Sequence, residues 1–130
     1  MEEVYEFLKK CGTFYLATVE GDKPRVRPFG VVHIFEGKLY IQTGKIKNVS
    51  KQMQINPNVE ITGFMDGRWV RLEGKVVRDD RIEAKTSVLD ANPMLKGMYS
   101  ADDDNTEVLY FEHAKATFCS FTEPARVVEF

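Results

Sequence analysis

A chain of 130 residues, 43% of them hydrophobic, can build one core without disulfide or metal staples, so residues 1–130 read as a single domain. A formal net charge of −2 and a pI near 5.7 exclude a general polyanion binder, because non-specific nucleic-acid affinity comes from a net basic surface; any anion site has to be local. No run approaches the roughly 18 apolar residues of a membrane span, and the first residues lack the apolar core of a secretion signal, so the expectation is a cytoplasmic protein with neither nucleic-acid nor membrane partners.

In chain order, "MEEVYEFLKK" places Val4, Phe7 and Leu8 on one helical face, with acids in the first turn, lysines in the last and Gly12 to close it. "TFYLATV" is rich in β-branched and aromatic residues and reads as a strand, followed by the turn "EGDKP". "RVRPFGVVHIF" and "KLYIQTG" then flank Glu36-Gly37 and predict a hairpin whose first strand is interrupted at Pro28 and Gly30. Proline removes a ladder donor and glycine admits a close neighbour, so the interruption marks an edge, a bulge or a ligand contact. From Lys47 to Ile55 the pattern turns helical, with Val49 and Met53 on one face, Lys47 and Lys51 on the other, and Asn56-Pro57 as the stop. "NVEITGFM" and "RWVRLEGKVVR" predict a second hairpin on a type I′ turn at Asp66-Gly67. Asp79 or Asp80 is the expected cap of a helix with Ile82, Thr86 and Leu89 on one face. A helical turn "NPMLKGMY", an acidic loop "SADDDNTE" and the strands "VLYFEH", "KATFCSF" and "ARVVEF" complete the chain. This order suits a mainly β fold, a small antiparallel closed or split β-barrel with a few flanking helices.

Between Glu36 and Glu60 there is no acidic residue, yet Lys38, Lys45, Lys47 and Lys51 fall there. The window also spans the point where a strand ends and a helix begins, so free N–H groups of a first helical turn would add to the lysine charge around a phosphate. A solvated helix face explains Lys47 and Lys51 equally well, and periodicity leaves both readings open. "TGKIKNVSK" lacks the spacing of a nucleoside-triphosphate loop. Arg25 and Arg27 project to one face of their strand, and Trp69 and Arg71 share the polar face of theirs. Cys11 and Cys119 sit in apolar surroundings and read as buried structural thiols, and His33 and His113 are far apart. No triad and no metal-ligand spacing is present, so a catalyst built on this chain would take its chemistry from a bound cofactor.

The segments "FYLATV", "PRVRPFGVV", "GKLYIQTGKIKNVSKQMQINPNVEI" and "GRWVRLEGKVV", in that order, resemble the FMN-binding split barrels of the pyridoxamine 5′-phosphate oxidase-like superfamily, closest to its nitroimidazole-resistance-like and general-stress-like branch. The resemblance implies a homodimer with FMN in clefts at the interface, acting as an oxidoreductase on a small substrate such as a nitroaromatic or pyridoxal-like compound. The alternative is a non-catalytic flavin or haem-type carrier or sensor. By the same resemblance Arg27, Pro28 and Phe29 run along the flavin ring, and Gln42 and Thr43 lie at the strand end beside it. Lys45, Lys47, Asn48 and Lys51 hold the phosphate, and Trp69 and Arg71 approach the flavin, from the partner subunit in one version. The oxidase's C-terminal Trp and Arg signature is missing, which argues against true pyridoxamine phosphate oxidation.

Overall fold

Period-two alternation decides which face of each strand is core. In β1 (Phe14–Glu20) Phe14, Leu16 and Thr18 point inward, and in β6 (Arg68–Arg78) Val70, Leu72 and Val76 do so while Arg71 and Glu73 face out. A computed structural model describes residues 1–130 and adds β2 (Lys23–Phe29), β3 (Val32–Phe35), β4 (Lys38–Gly44), β5 (Asn58–Met65), β7 (Thr106–Ser120) and β8 (Arg126–Glu129). Three helices, α1 (Glu2–Cys11), α2 (Asn48–Ile55) and α3 (Ile82–Ala91), and a 3₁₀ turn at Pro93–Gly97 complete it. All the pairings are antiparallel, in the order β2-β1-β5-β6-β7-β4-β3, with β8 added beside β7. The result is the expected split β-barrel with flanking helices.

The core lies inside the curl of this sheet, where Phe14, Leu16, Ile41, Ile61, Leu72 and Leu109 are almost wholly buried together with Val4 and Leu8 of α1. Each such side chain contributes roughly 1.5–3 kcal/mol on leaving water. Helix α2 adds Val49 and Met53 to the same cluster, which seats it across the barrel end close to β1. Both expected hairpin turns form, with Glu36-Gly37 and Asp66-Gly67 in the left-handed region that type I′ turns require.

Four expectations need correction. "RVRPFGVVHIF" is two strands rather than one interrupted strand: β2 pairs with β1, and only β3 pairs with β4, from Val32↔Ile41 to Phe35↔Lys38. At Gly30 and Val31 the chain therefore leaves one edge of the sheet and enters the other, so the interruption is the split of the barrel. Helix α3 buries Ala84, Lys85, Val88 and Leu89, while Ile82 is exposed; Arg81 is its cap position, and Asp79 accepts from the Arg81 backbone and guanidinium instead of capping. "VLYFEH" and "KATFCSF" are one strand, β7, bent at His113, whose φ is +52°. The bend faces a register shift at Gly74, where a side chain would come within 3.2 Å of the Glu112 carbonyl. Finally, both cysteines are free and half-buried rather than buried.

Candidate functional site

β2 is an edge strand, so the side chains on its inner side meet whatever covers the barrel end, which is α2. Arg25 and Arg27 are two residues apart on β2 and both line a cavity of about 460 Å³ with Lys47, Asn48, Val49 and Gln52. Arg27, Lys47 and Val49 also line a second cavity of about 420 Å³. The shared residues make the two cavities lobes of one trough along the split, each within the roughly 300–1,000 Å³ typical of ligand sites. The first lobe is basic. The second has the Pro28–Val31 backbone, Gln42 and Thr43 on one side and Asn92, Met94, Leu95, Met98 and Tyr99 on the other.

Charge pairing singles out one residue in the basic lobe. Of the seven arginines in the sequence, Arg25, Arg68, Arg71, Arg78, Arg81 and Arg126 each contact a carboxylate. Arg27 contacts none. Its Nη1 donates to the Thr18 hydroxyl at 2.8 Å and the Leu16 carbonyl at 3.2 Å, and its Nη2 donates to Gln52 Oε1 at 2.6 Å. Burial, followed by the repulsion of Arg25, pulls its pKa below the ordinary guanidinium value. Held only by neutral groups, the half-buried guanidinium keeps a charge that no carboxylate compensates. Arg25 is turned to Glu20 at the rim, with bonds of 3.0 and 2.8 Å that hold the Glu20 carboxyl below its usual range.

The turn into α2 adds neutral donors. Lys47 is the cap residue of α2 and no side chain caps it. The N–H groups of Ser50 and Lys51 bond back to Lys47 O, so those of Asn48 and Val49 have no acceptor inside the helix. Asn105 fixes this turn by accepting from Lys45 N through its carbonyl at 2.7 Å and from Ile46 N through its side chain at 3.2 Å. Gly44 is needed there, because a Cβ would lie 3.1 Å from the Tyr99 hydroxyl and 3.2 Å from Asn105 Nδ2.

The structure thus brings Arg27, Pro28, Phe29, Gln42, Thr43, Lys47 and Asn48 around one trough. It places the others elsewhere. Lys45 points to Asp104 at 3.5 Å and Asp80 at 3.7 Å, and Lys51 is exposed on α2 outside both lobes. Arg71 pairs with Glu60 at 3.0 Å on the outer face of β6. Trp69 packs with Phe64 and Phe121, ring centroids 6.4 and 5.1 Å away. Neither Trp69 nor Arg71 lines the trough of its own chain.

Sequence reasoning missed Thr18 and Gln52, which look like inward-facing positions of a strand and a helix, and the Met94–Tyr99 wall. The wall did leave a signal, two methionines and a tyrosine in "NPMLKGMY", more apolar surface than a surface turn requires; Met94 and Met98 are both 73% exposed. His33 is outside the site, bonded to Ser87 at 2.7 Å, with its pKa lowered by burial and Lys9. No cluster of His, Cys, Asp and Glu is arranged to hold a metal, and no helix is long and apolar enough to cross a membrane.

The fold recurs in solved structures. A NimC/NimA family protein of Clostridium acetobutylicum is 51% identical over 100% of this chain and 92% of its own, with a TM-score of 0.97. Two remoter proteins share the fold alone: a heme binding protein from Mycobacterium smegmatis (13% identity, 94% of this chain, 57% of that one, TM-score 0.73) and a pyridoxamine 5′-phosphate oxidase-related, FMN binding protein from Nostoc punctiforme (14%, 99%, 93%, 0.66). A comparison with curated proteins gives no match. Residues 1–119 match the pyridoxamine 5′-phosphate oxidase family model, and the chain belongs to that family.

Proposed function

We propose that the trough binds FMN and that the protein is a cytoplasmic, homodimeric flavin oxidoreductase acting on a small oxidised substrate, nitroaromatic or pyridoxal-like in class. The observation that carries the reading is Arg27, the one arginine without a carboxylate, at the basic end of a two-lobed trough. The FMN phosphate fits that end, where Arg27, Lys47 and the free N–H groups of Asn48 and Val49 supply charge-assisted hydrogen bonds. The ring fits the second lobe, between the Pro28–Val31 backbone and the methionine wall. Lys45 and Lys51 then act on the phosphate at a distance, as part of the local field.

FMN, when bound, supplies the electron-transfer chemistry. The chain binds and orients it and shields it from water. Apart from Glu20 at the rim, no carboxyl, imidazole or thiol lines either lobe, and the remaining proton donors there are the Lys47 ammonium and the Tyr99 hydroxyl. The absence of a carboxyl, imidazole or thiol from the second lobe favours a second reading, a flavin or haem-type carrier without turnover. The exposed rings of Phe64 and Phe121, packed about the half-buried Trp69, support burial against a second copy, a position from which Trp69 and Arg71 can approach the partner's flavin.

Titration with FMN tests the first claim: one flavin per chain, with absorption near 450 nm retained through gel filtration, is the expected result, and no binding would sink it. Anaerobic mixing with a reduced nicotinamide cofactor and a nitroaromatic separates the two readings. Flavin bleaching followed by recovery is expected of the enzyme, and an unreduced flavin favours the carrier.

A further inference from the structure

Gln52 and Thr18 are buried, at 7% and 2% exposure, and each turns its side-chain oxygen to Arg27. Gln52 Oε1 accepts from the Thr18 hydroxyl at 2.5 Å and from Arg27 Nη2 at 2.6 Å, while Thr18 Oγ1 accepts from Arg27 Nη1 at 2.8 Å. The three side chains close a ring that fixes the guanidinium plane. A glutamate at the Gln52 position would have nearly the same shape and would bond Arg27 more strongly. It would also cancel the charge, as carboxylates do for the other six arginines.

We infer that Gln52, with Thr18, is the positioning residue of the anion site: it holds Arg27 through neutral hydrogen bonds so that the full guanidinium charge remains available to a phosphomonoester. The inference rests on the FMN reading and adds how the site obtains its preference for a phosphorylated over an unphosphorylated flavin. Its determinant lies beneath the ligand rather than in contact with it. Glu20, the one carboxylate of the basic lobe, is held by Arg25 and by the Gln52 amide, and Gln52 is a position where one near-isosteric substitution places a negative charge on Arg27.

The test compares FMN with riboflavin, which has the same ring and no phosphate, by fluorescence titration of the wild type, Gln52→Glu and Thr18→Val. Gln52→Glu should weaken FMN binding about ten- to a hundredfold, the value of one charge-assisted bond, leave riboflavin within about twofold, and flatten the salt dependence of FMN binding. Thr18→Val should show a smaller loss, also confined to FMN. Equal losses for both flavins in both variants would reveal a merely structural role and overturn the inference, as would an unchanged FMN affinity in Gln52→Glu. A wild type that binds neither flavin removes the FMN reading and the inference with it, whereas a wild type that prefers FMN and variants that keep the preference remove the inference alone.

Discussion

Arg78 and Glu107 form an ion pair beneath α2, Nε donating to Oε2. Glu107 is wholly buried and also accepts from Gln54 Nε2 at 3.2 Å, while Arg78 Nη2 reaches the Ser50 hydroxyl at 3.4 Å. The pair therefore pins the helix that carries the basic lobe to β6 and β7. Glu107 Oε1 has no partner, so the carboxylate depends on Arg78 and Gln54 alone. Arg78→Met should destabilise the protein by about 3 kcal/mol by stranding a buried charge, whereas Glu107→Gln should cost nearer to 1 kcal/mol because Arg78 still reaches water. The double variant should recover much of the loss of Arg78→Met, and urea unfolding of the four proteins checks the cycle.

Arg27 and the lysines around the turn into α2 should not contribute alike to FMN affinity. Arg27→Ala should weaken binding by about 2–3 kcal/mol, thirty- to over a hundredfold, with no comparable loss of folding stability, since the cation is desolvated without a carboxylate. Lys47→Ala should cost more than Lys45→Ala, whose ammonium is spent on Asp80 and Asp104, or Lys51→Ala. Isothermal titration with FMN ranks the four. A largest loss at Lys45 would contradict the placement of the phosphate.

Stability should fall in acid through Asp79. Two guanidinium bonds and a backbone bond from Arg81, with the buried Tyr40 hydroxyl at 2.7 Å, outweigh burial and depress its pKa from 3.8 to about 2. The folded value is the lower one, so the stabilisation is complete above pH about 4 and disappears as the pH falls toward 2. It amounts to about 2 kcal/mol. Asp79→Asn should be less stable at neutral pH and should flatten the curve in that window, as urea midpoints measured from pH 5 downward would show.

Phe64 and Phe121 are 62% and 77% exposed beside the half-buried Trp69. If this is the face of a dimer, Phe64→Ser with Phe121→Ser should shift the sedimentation profile toward monomer while leaving the far-ultraviolet circular dichroism unchanged. An unaltered dimer would move the interface elsewhere.

Local chemistry made much of this fold legible. Turns at Glu36-Gly37 and Asp66-Gly67 carry their own signature, and the alternation in β5 and β6 is strict enough to fix their inward faces. What was not legible depends on distant partners. Nothing in "RVRPFGVV" states that its two halves pair at opposite edges, because both halves have strand propensity and the crossing needs only Gly30 and Val31. In α3 the long side chain of Lys85 is buried while Ile82 is left outside, so the tertiary setting overrides the helical pattern. At the site, lysine density pointed to the turn into α2 but not to the cation that lacks a carboxylate. Lys45 is neutralised from the acidic loop some 60 residues away in sequence, and Arg27 is left charged by acceptors on β1 and α2.

β7 pairs with β6 along most of its length, with β4 through Thr106–Tyr110 and with β8 through Lys115–Phe118. The bend at His113 lets one strand change its second neighbour without leaving its first. Opening the barrel at either end consequently breaks ladders on both sides of the same strand, whereas β2 can peel from β1 alone. Pairing is thus unevenly distributed: β7 is tied on both sides and acts as the keel of the barrel, whereas the β2 edge beside the trough is held through a single ladder.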